Sequence, residues 1–309
     1  LNGVKESIFM ENIKDYSFRW RWNMVNDFRP QSIESSGIKS YPTANYVNYY
    51  GMQNGYPIND MTKADAESGY DPTHPWKNRD PRFYKTIMFD GVKWRNTGGA
   101  GGTAELFTGG RESEEANEKK GWFTAYMNSK LCPQLMNTFD GYKENNIMIL
   151  SLMRLADVYL MYAEATAVGY NSPKGKAATY SLTAEEALNK IRERAGVAPV
   201  LEKFLGSTAD FLSELRRERA VELSFEGFRF TDLRRWMLLT QYPYTLKTKI
   251  EFDRADPNNY NYDAPEENAI KNLREVVLIE RKYTDRHYWY PLPKKDVSMY
   301  EGFYQNPGW

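Results

Sequence analysis

Between residues 150 and 240, hydrophobic positions recur at the three- and four-residue spacing of a helix face. The first series follows Leu150, includes small alanines that allow close helix packing, and stops at Gly169. It predicts an amphipathic helix that ends at this glycine. Its stripe consists of Leu152, Leu155, Tyr159, Tyr162 and Ala163.

Start and stop signals predict three further helices. Thr183 and Glu186 fit a capping box, and Gly196 lies where a helix C-terminus favours glycine. Ser207 opens a second capped series, and Gly227 separates it from a fourth helix. Two tandem helix pairs are typical of tetratricopeptide-type units, and two units are too few for a free-standing repeat array. We therefore expect these helices to pack on another part of the protein.

The segments on either side lack this periodicity. Residues 1–150 are rich in Gly, Asn, Pro and aromatic residues, which predicts loops and short strands. One hairpin is predicted there, with Arg82–Phe89 and Val92–Arg95 as strands and Asp90-Gly91 as the turn. Residues 241–309 are predicted to be loop-rich, with a helix or strand over Ala269–Ile279 and a proline-bracketed extended tail. The predicted organisation is a loop-rich ligand-binding segment (1–150), helix pairs (151–240) and a C-terminal segment packed on both (241–309), all in one unit.

Charge and composition narrow the function classes. The 309 residues contain 41 Lys+Arg and 41 Asp+Glu, so the sequence lacks the basic excess of a dedicated nucleic-acid binder. No apolar run approaches the roughly 20 residues that cross a bilayer. The single cysteine, Cys132, excludes an intrachain disulfide and a Cys-based zinc site. Balanced charge favours a neutral ligand.

Catalytic and cofactor motifs are not apparent. His74 and His287 are each expected to be loop or packing residues, and zinc-protease and serine-hydrolase motifs are missing from the sequence. The phosphate-loop candidate Gly169–Lys176 fails in spacing and context. Oxygen ligands between Asp256 and Asp263 make calcium conceivable, but their spacing is not that of an EF-hand. We predict no catalytic residue, no metal and no cofactor; adjacent carboxylates leave a glycoside hydrolase as a weak alternative.

Aromatic residues make up 15% of the chain, and many lie in its loop-rich first third, Trp20 and Trp22 among them. Each ring by itself is more often buried than exposed. As a group, some are expected to be ring platforms, because the C–H faces of sugars stack on aromatic rings while Asn, Asp and Arg bind hydroxyl groups.

Four segments together resemble the SusD/RagB family of outer-membrane nutrient-capture lipoproteins of Bacteroidetes. Their order, their spacing and the terminal position of the last one agree with the family pattern. They are Asn78–Tyr84, Arg154–Ala165, Glu214–Trp236, and the ending that runs from Tyr290-Pro-Leu-Pro293 through Gln305-Asn-Pro-Gly-Trp309.

This resemblance implies a mainly α, SusD-like fold, with tetratricopeptide-type helix pairs, loop-rich segments and short β-hairpins. It also implies non-enzymatic capture of an extracellular glycan and its delivery to a SusC-like TonB-dependent barrel in the outer membrane, as in polysaccharide utilisation. Family members begin at a lipidated cysteine and carry further N-terminal repeats. The resemblance therefore corresponds to a C-terminal portion, and we expect the repeats and the lipid anchor to lie outside this sequence. Attachment to the membrane is expected only through that anchor.

The charged residues within the family segments are expected to form internal ion pairs and helix caps. They are Arg216, Glu218, Arg219, Glu222, Glu226 and Arg229. The ligand is expected in the loops, and the predicted ligand-binding residues are Tyr41, Tyr46, Asn54, Tyr56, Trp76, Arg79 and Trp94. An oligopeptide ligand and a helical-repeat scaffold for protein partners remain the alternatives.

Overall fold

The computed structural model describes residues 5–12, 41–94, 102–113, 124–130, 140 and 149–309. Trp20, Trp22 and Cys132 lie outside these residues. The described chain is mainly α-helical with three two-stranded antiparallel sheets, as predicted. In the same residues, no helix is both long and apolar enough to span a bilayer.

Along the chain, short helices and strands precede and follow a group of longer helices. The helices are α1 (Ala44–Val47), α2 (Pro81–Thr86), α3 (Leu155–Gly169), α4 (Ala184–Ala195), α5 (Thr208–Glu222), α6 (Phe228–Arg235) and α7 (Lys294–Met299). The strands are β1 (Ser7–Asn12), β2 (Ile87–Met88), β3 (Met127–Asn128), β4 (Ile149–Arg154), β5 (Leu246–Arg254) and β6 (Ile270–Glu280). β1 pairs with β4, β2 with β3, and β5 with β6.

Helices α3, α4 and α5 share one hydrophobic cluster. Leu160 and Ala163 of α3 are fully buried in it, as are Leu188 of α4 and Phe211 and Leu215 of α5. Burial of a Leu or Phe side chain contributes roughly 1.5–3 kcal/mol, which exceeds what intrinsic helix propensity supplies. Packing of the three faces therefore stabilises these helices.

A second cluster joins the loop-rich region to the β5–β6 hairpin. Trp76, Phe83 and Phe89 contribute its rings, and Ile250 and Phe252 of β5 pack in the same cluster. Described residues of the loop-rich region thus share a core with β5 and Ile270. The domain boundaries predicted above remain a prediction.

The predicted helix signals are confirmed by the geometry of the caps. Thr183 Oγ1 accepts a hydrogen bond from Glu186 N, and Glu186 Oε2 accepts one from Thr183 N, so both halves of the capping box form. Gly196 ends α4 at φ 73°, the left-handed conformation that favours glycine. Ser207 caps α5 by accepting a hydrogen bond from Asp210 N.

The predicted hairpin at Arg82–Arg95 is wrong. Asp80 accepts a hydrogen bond from Arg82 N, and Pro81 occupies the first turn, so the chain enters helix α2 instead of a strand. The turn at Gly91 does form, at φ 82°, but Lys93 pairs with Thr103. Helix capping therefore outweighed the β propensity of this aromatic segment.

Helix α5 carries a ladder of three buried carboxylates, Glu214, Glu218 and Glu222, spaced one turn apart. Glu214 binds Arg217, with Arg217 Nε 2.8 Å from Glu214 Oε2, and also binds Arg192 of α4. Glu218 accepts a hydrogen bond from Arg192 Nε at 3.0 Å and binds Arg82 of α2. The ladder therefore connects three helices through charge-assisted hydrogen bonds.

The predicted internal ion pairs are confirmed for four of the six family residues. Glu218 and Glu222 belong to the ladder, and Glu226 binds Lys130 and Arg154. Arg219 binds Asp157 of α3 and Asp232 of α6. The prediction is wrong for Arg216 and Arg229, which form no ion pair with the described residues. Their guanidinium groups lie instead over the rings of Trp236 and Tyr49, respectively.

We predict that Arg192→Met lowers the free energy of unfolding by roughly 3–5 kcal/mol, because it removes one partner of a buried ion pair and leaves carboxylate charge incompletely compensated. Urea unfolding followed by tryptophan fluorescence measures the loss. Lys190→Met is the matched control, because Lys190 forms an exposed pair with Glu193 on the same helix. Equal effects of the two substitutions would contradict a structural role for the ladder.

Candidate functional site

Three of the predicted ligand-binding residues are buried in the core. Trp76 is fully buried, and its ring stacks on Phe89 with the centroids 5.0 Å apart. Trp94 is 4% exposed. Arg79 is 2% exposed and donates to the backbone carbonyls of Val47, Tyr50 and Pro75 at 2.6–3.1 Å. Their position is that of packing residues, because a ligand could reach these side chains only by opening the core.

Arg79 has a structural role that its sequence context does not reveal. Its guanidinium group donates to carbonyl oxygens on both sides of the loop, and it lies 4.7 Å from the centroid of the Phe83 ring. Such burial of an arginine is sustained by hydrogen bonds to each of its nitrogens. Arg79 therefore fixes the conformation of the loop from the inside.

The other four predicted residues are at least partly accessible. Tyr41 and Tyr46 are half-buried against the core, and the Tyr46 hydroxyl donates to the Ala220 carbonyl oxygen at 2.6 Å. Asn54 is exposed and Tyr56 is half-buried. The structure brings Asn54 and Tyr56 together in one loop, whereas Tyr41 and Tyr46 pack against the hydrophobic cluster that contains Trp76.

We define the Asn54–Tyr56 loop patch as the exposed part of residues 53–56. Asn54 Oδ1 accepts a hydrogen bond from Tyr56 N, and its Nδ2 donates to the Ser68 carbonyl oxygen at 2.9 Å. Gly55, at φ 90°, permits the turn. On the helical side, Arg217 Nη2 donates to the Gly55 carbonyl oxygen at 3.0 Å. The patch is therefore held rigidly by α5.

Charged residues complete this patch. The ammonium group of Lys203 lies 4.3 Å from the centroid of the Tyr56 ring and 3.2 Å from a carboxylate oxygen of Glu67. Lys203 and Glu67 are both exposed, so the pair is a weak, solvent-screened interaction. A ligand that stacks on this face of Tyr56 would displace the exposed ammonium group of Lys203.

A cavity of about 400 Å³ lies at the Glu222 end of the α5 ladder. Its lining includes Arg82, Lys130, Arg154 and Arg194 together with Glu222. Arg154 Nη1 lies 2.5 Å from Glu222 Oε1, and Arg82 Nη1 lies 2.9 Å from Glu222 Oε2. The cations are engaged by carboxylates of the protein, so the cavity wall is a structural charge network.

Electrostatics keep that network ionised. Burial alone would raise the pKa of Glu222, but Arg154, Arg82 and Arg194 outweigh it and lower the pKa to about 2. Glu214 and Glu218 follow the same pattern: burial is opposed by arginines that lower each pKa below its ordinary value. These carboxylates are held as anions and do not resemble general acids.

The exposed rings concentrate in a segment that sequence reasoning did not select. We define the aromatic tail as residues 288–309. Gln305 fastens it by accepting from Leu292 N at 2.7 Å and donating to the Leu292 carbonyl oxygen at 2.9 Å, and Trp309 Nε1 donates to the Arg286 carbonyl oxygen at 3.0 Å. Its exposed rings are Trp289, Tyr290, Tyr300, Phe303, Tyr304 and Trp309. The aromatic tail therefore carries six of the exposed rings of the described residues, and the density of rings around Pro291 and Pro293 was the available signal in the sequence.

No metal centre is formed by the described residues, which contain no group of three or more His, Cys, Asp or Glu side chains arranged around a common point. His74 Nδ1 lies 3.2 Å from Asp71, and His287 Nδ1 bonds to Thr284. Both histidines are thus engaged in local loop contacts.

We predict that Trp76→Ala lowers the free energy of unfolding by roughly 3–5 kcal/mol, because truncation of a buried Trp leaves a cavity in the core. Thermal unfolding measures this loss. Trp289→Ala, which truncates a ring that is 58% exposed, is the matched control and is expected to change stability by less than about 0.5 kcal/mol. Unchanged stability of Trp76→Ala together with weaker ligand binding would restore Trp76 as a ring platform.

We predict that the stability contributed by ionised Glu222, on the order of 3 kcal/mol, is present above pH 4.5 and is lost as the pH falls towards 2. The sign follows from a folded-state pKa that lies below the ordinary value of 4.5. Urea unfolding of the protein and of Glu222→Gln, measured from pH 6 to pH 2, should give a difference that shrinks over this interval. A difference that is constant with pH would contradict the assignment.

Comparison with known proteins gives consistent results. The model of the SusD family matches residues 5–309. A SusD-like protein from Bacteroides fragilis superposes with a TM-score of 0.70 at 23% identity, and the match covers 99% of this chain and 55% of that one. Surface glycan-binding protein A from Bacteroides fluxus superposes with a TM-score of 0.53 at 19% identity, covering 99% and 51%. The chain spans about half the length of these structures. None of the curated proteins matches it.

Proposed function

Because the chain belongs to the SusD family, we propose that it captures an oligosaccharide outside the cell and does not cleave it. The name of the similar Bacteroides fluxus protein, a surface glycan-binding protein, supports this ligand class. The proposal includes delivery of the glycan to a SusC-like TonB-dependent barrel, at the outer face of the outer membrane. The family resemblance supports that step.

The Asn54–Tyr56 loop patch is the observation that carries the proposal. It presents a tyrosine ring beside the exposed amide side chains of Gln53 and Asn54. A sugar ring has apolar C–H faces and a polar rim, so an aromatic face flanked by amides is complementary to it. The hydrogen bonds from Arg217 to the Gly55 carbonyl and from Asn54 to the Ser68 carbonyl hold the loop in place before a ligand arrives, which lowers the ordering cost of binding.

The state of the carboxylates supports binding without hydrolysis. A glycosidase requires a protonated carboxyl group with a raised pKa beside a second carboxylate. The α5 carboxylates have lowered pKa values. Burial raises the pKa of Asp90, but Arg254 Nε lies 2.6 Å from one of its oxygens, and Leu106 N donates to the other at 2.8 Å. Asp90 therefore serves to connect β5 to the loop region.

Binding to a panel of neutral and acidic oligosaccharides, measured by isothermal titration calorimetry, tests the proposal. Oligopeptides form the second arm, since peptide capture is the alternative.

We predict that Tyr56→Ala weakens binding of the captured glycan about tenfold, equivalent to 1.4 kcal/mol. The loss reflects removal of the ring on which the sugar stacks.

Tyr170→Ala is the matched control, because Tyr170 is 59% exposed and lies at the end of α3. It should bind the glycan as the unmodified protein does. Binding of peptides alone would exclude glycan capture, and equal binding by Tyr56→Ala and the unmodified protein would remove the ligand from the Asn54–Tyr56 loop patch.

A further inference from the structure

Three cations from different parts of the chain meet beside the β5–β6 hairpin. We name Arg229, Lys247 and Arg281 the cationic cluster. Arg229 lies in the first turn of α6, Lys247 lies in β5, and Arg281 follows β6. Lys247 is opposite Ile279, and Arg281 N donates to the Thr245 carbonyl oxygen at 2.9 Å. This register places Lys247 and Arg281 as diagonal neighbours on one face of the hairpin.

The three members of the cationic cluster have no carboxylate partner among the described residues. The arginines of the α5 ladder, by contrast, each contact at least one carboxylate. Burial is the main cause that lowers the pKa of Lys247, to about 8, and the charges of Arg281 and Arg229 lower it further. The charged groups that act on this ammonium group therefore repel it, and an anion would relieve that repulsion.

The acidic residues nearest in the hairpin are directed elsewhere. Glu280 pairs with Leu246, and alternation along the strands places it on the opposite face from Arg281. Glu275 accepts a hydrogen bond from the Thr248 hydroxyl at 2.6 Å, and that hydroxyl also accepts from Asn45 N. Neither carboxylate serves the cationic cluster.

Tyrosine rings orient two of the cations. The guanidinium carbon of Arg229 lies 4.8 Å from the centroid of the Tyr49 ring and 5.5 Å from that of Tyr244. Arg281 Nη1 donates to the Tyr283 hydroxyl at 3.0 Å. Contact with ring faces holds a guanidinium group in place while leaving N–H donors at its edge for a planar or tetrahedral anion.

We propose that the cationic cluster binds an anionic substituent, a carboxylate or a sulfate ester, of the captured oligosaccharide. This inference rests on the proposed function and narrows its ligand class to acidic glycans. Balanced net charge favoured a neutral ligand. A net charge of zero is nevertheless compatible with a local group of positive charges, because carboxylates and cations elsewhere in the fold neutralise each other. The cationic cluster is such a group. The guanidinium groups can bind such an anion through directional hydrogen bonds, and the lysine ammonium group attracts it as a compact charge.

Matched oligosaccharide pairs test the inference by calorimetry in low salt. One arm compares oligogalacturonate with its neutral methyl ester, and the other compares a sulfated oligosaccharide with its desulfated form. We expect the charged member of one pair to bind at least tenfold more tightly, and this preference to fall as salt is raised. The preference should disappear in the double variant Lys247→Met/Arg281→Gln and persist in Lys282→Gln, which removes an exposed neighbouring cation.

Thermal unfolding provides two further checks. It shows whether the double variant is folded, and it detects anion binding without any glycan. The double variant removes repelling charges, so its melting temperature should equal or exceed that of the unmodified protein. Inorganic sulfate should raise the melting temperature of the unmodified protein more than that of the double variant. Glycan binding without preference for charge would overturn the inference and leave the proposed function standing. Stabilisation by sulfate with no glycan binding would overturn both.

Discussion

The buried charge ladder of α5 is the interaction on which the rest of the structure depends. Its three carboxylates face arginines from α2, α4 and β4, and Arg217 of the same helix reaches across to the loop region. An unpaired buried charge is far more costly than a paired one, so each element must adopt the position that completes a pair. We infer that the ladder contributes mainly to the mutual arrangement of the elements and that the net stability comes from the two hydrophobic clusters.

The cations of the described residues include some that pair with carboxylates inside the fold and others that have no carboxylate partner. The arginines of the ladder, Arg219 and Arg254 are all committed to carboxylates within the fold. Arg229, Lys247 and Arg281 are not, and the two arginines contact tyrosine side chains instead. The same ladder holds the Asn54–Tyr56 loop patch through Arg217. In our proposal, the ladder has no catalytic role, and it positions the Asn54–Tyr56 loop patch that contacts the ligand.

Much of the helical part could be predicted from the sequence, because the signals at Thr183, Gly196 and Ser207 are local. The family segments also predicted the fold, and one of them contains the three carboxylates of the ladder. The hairpin prediction failed because the Asp80-Pro81 start favours a helix. Counting rings identified Trp76 and Trp94 but gave no information about burial, which depends on contacts with distant residues such as Phe252. The cationic cluster was beyond prediction because Lys247 and Arg281 become neighbours only through the β5–β6 register, and Arg229 joins them from α6.

Capture without cleavage is the central claim, and one measurement tests it most directly: equilibrium dialysis of the protein against the glycan panel, followed by mass analysis of bound and free sugar after long incubation. We predict that at least one oligosaccharide is retained by the protein and is recovered at its original mass. Retention of no glycan, or the appearance of shorter products, would contradict the account.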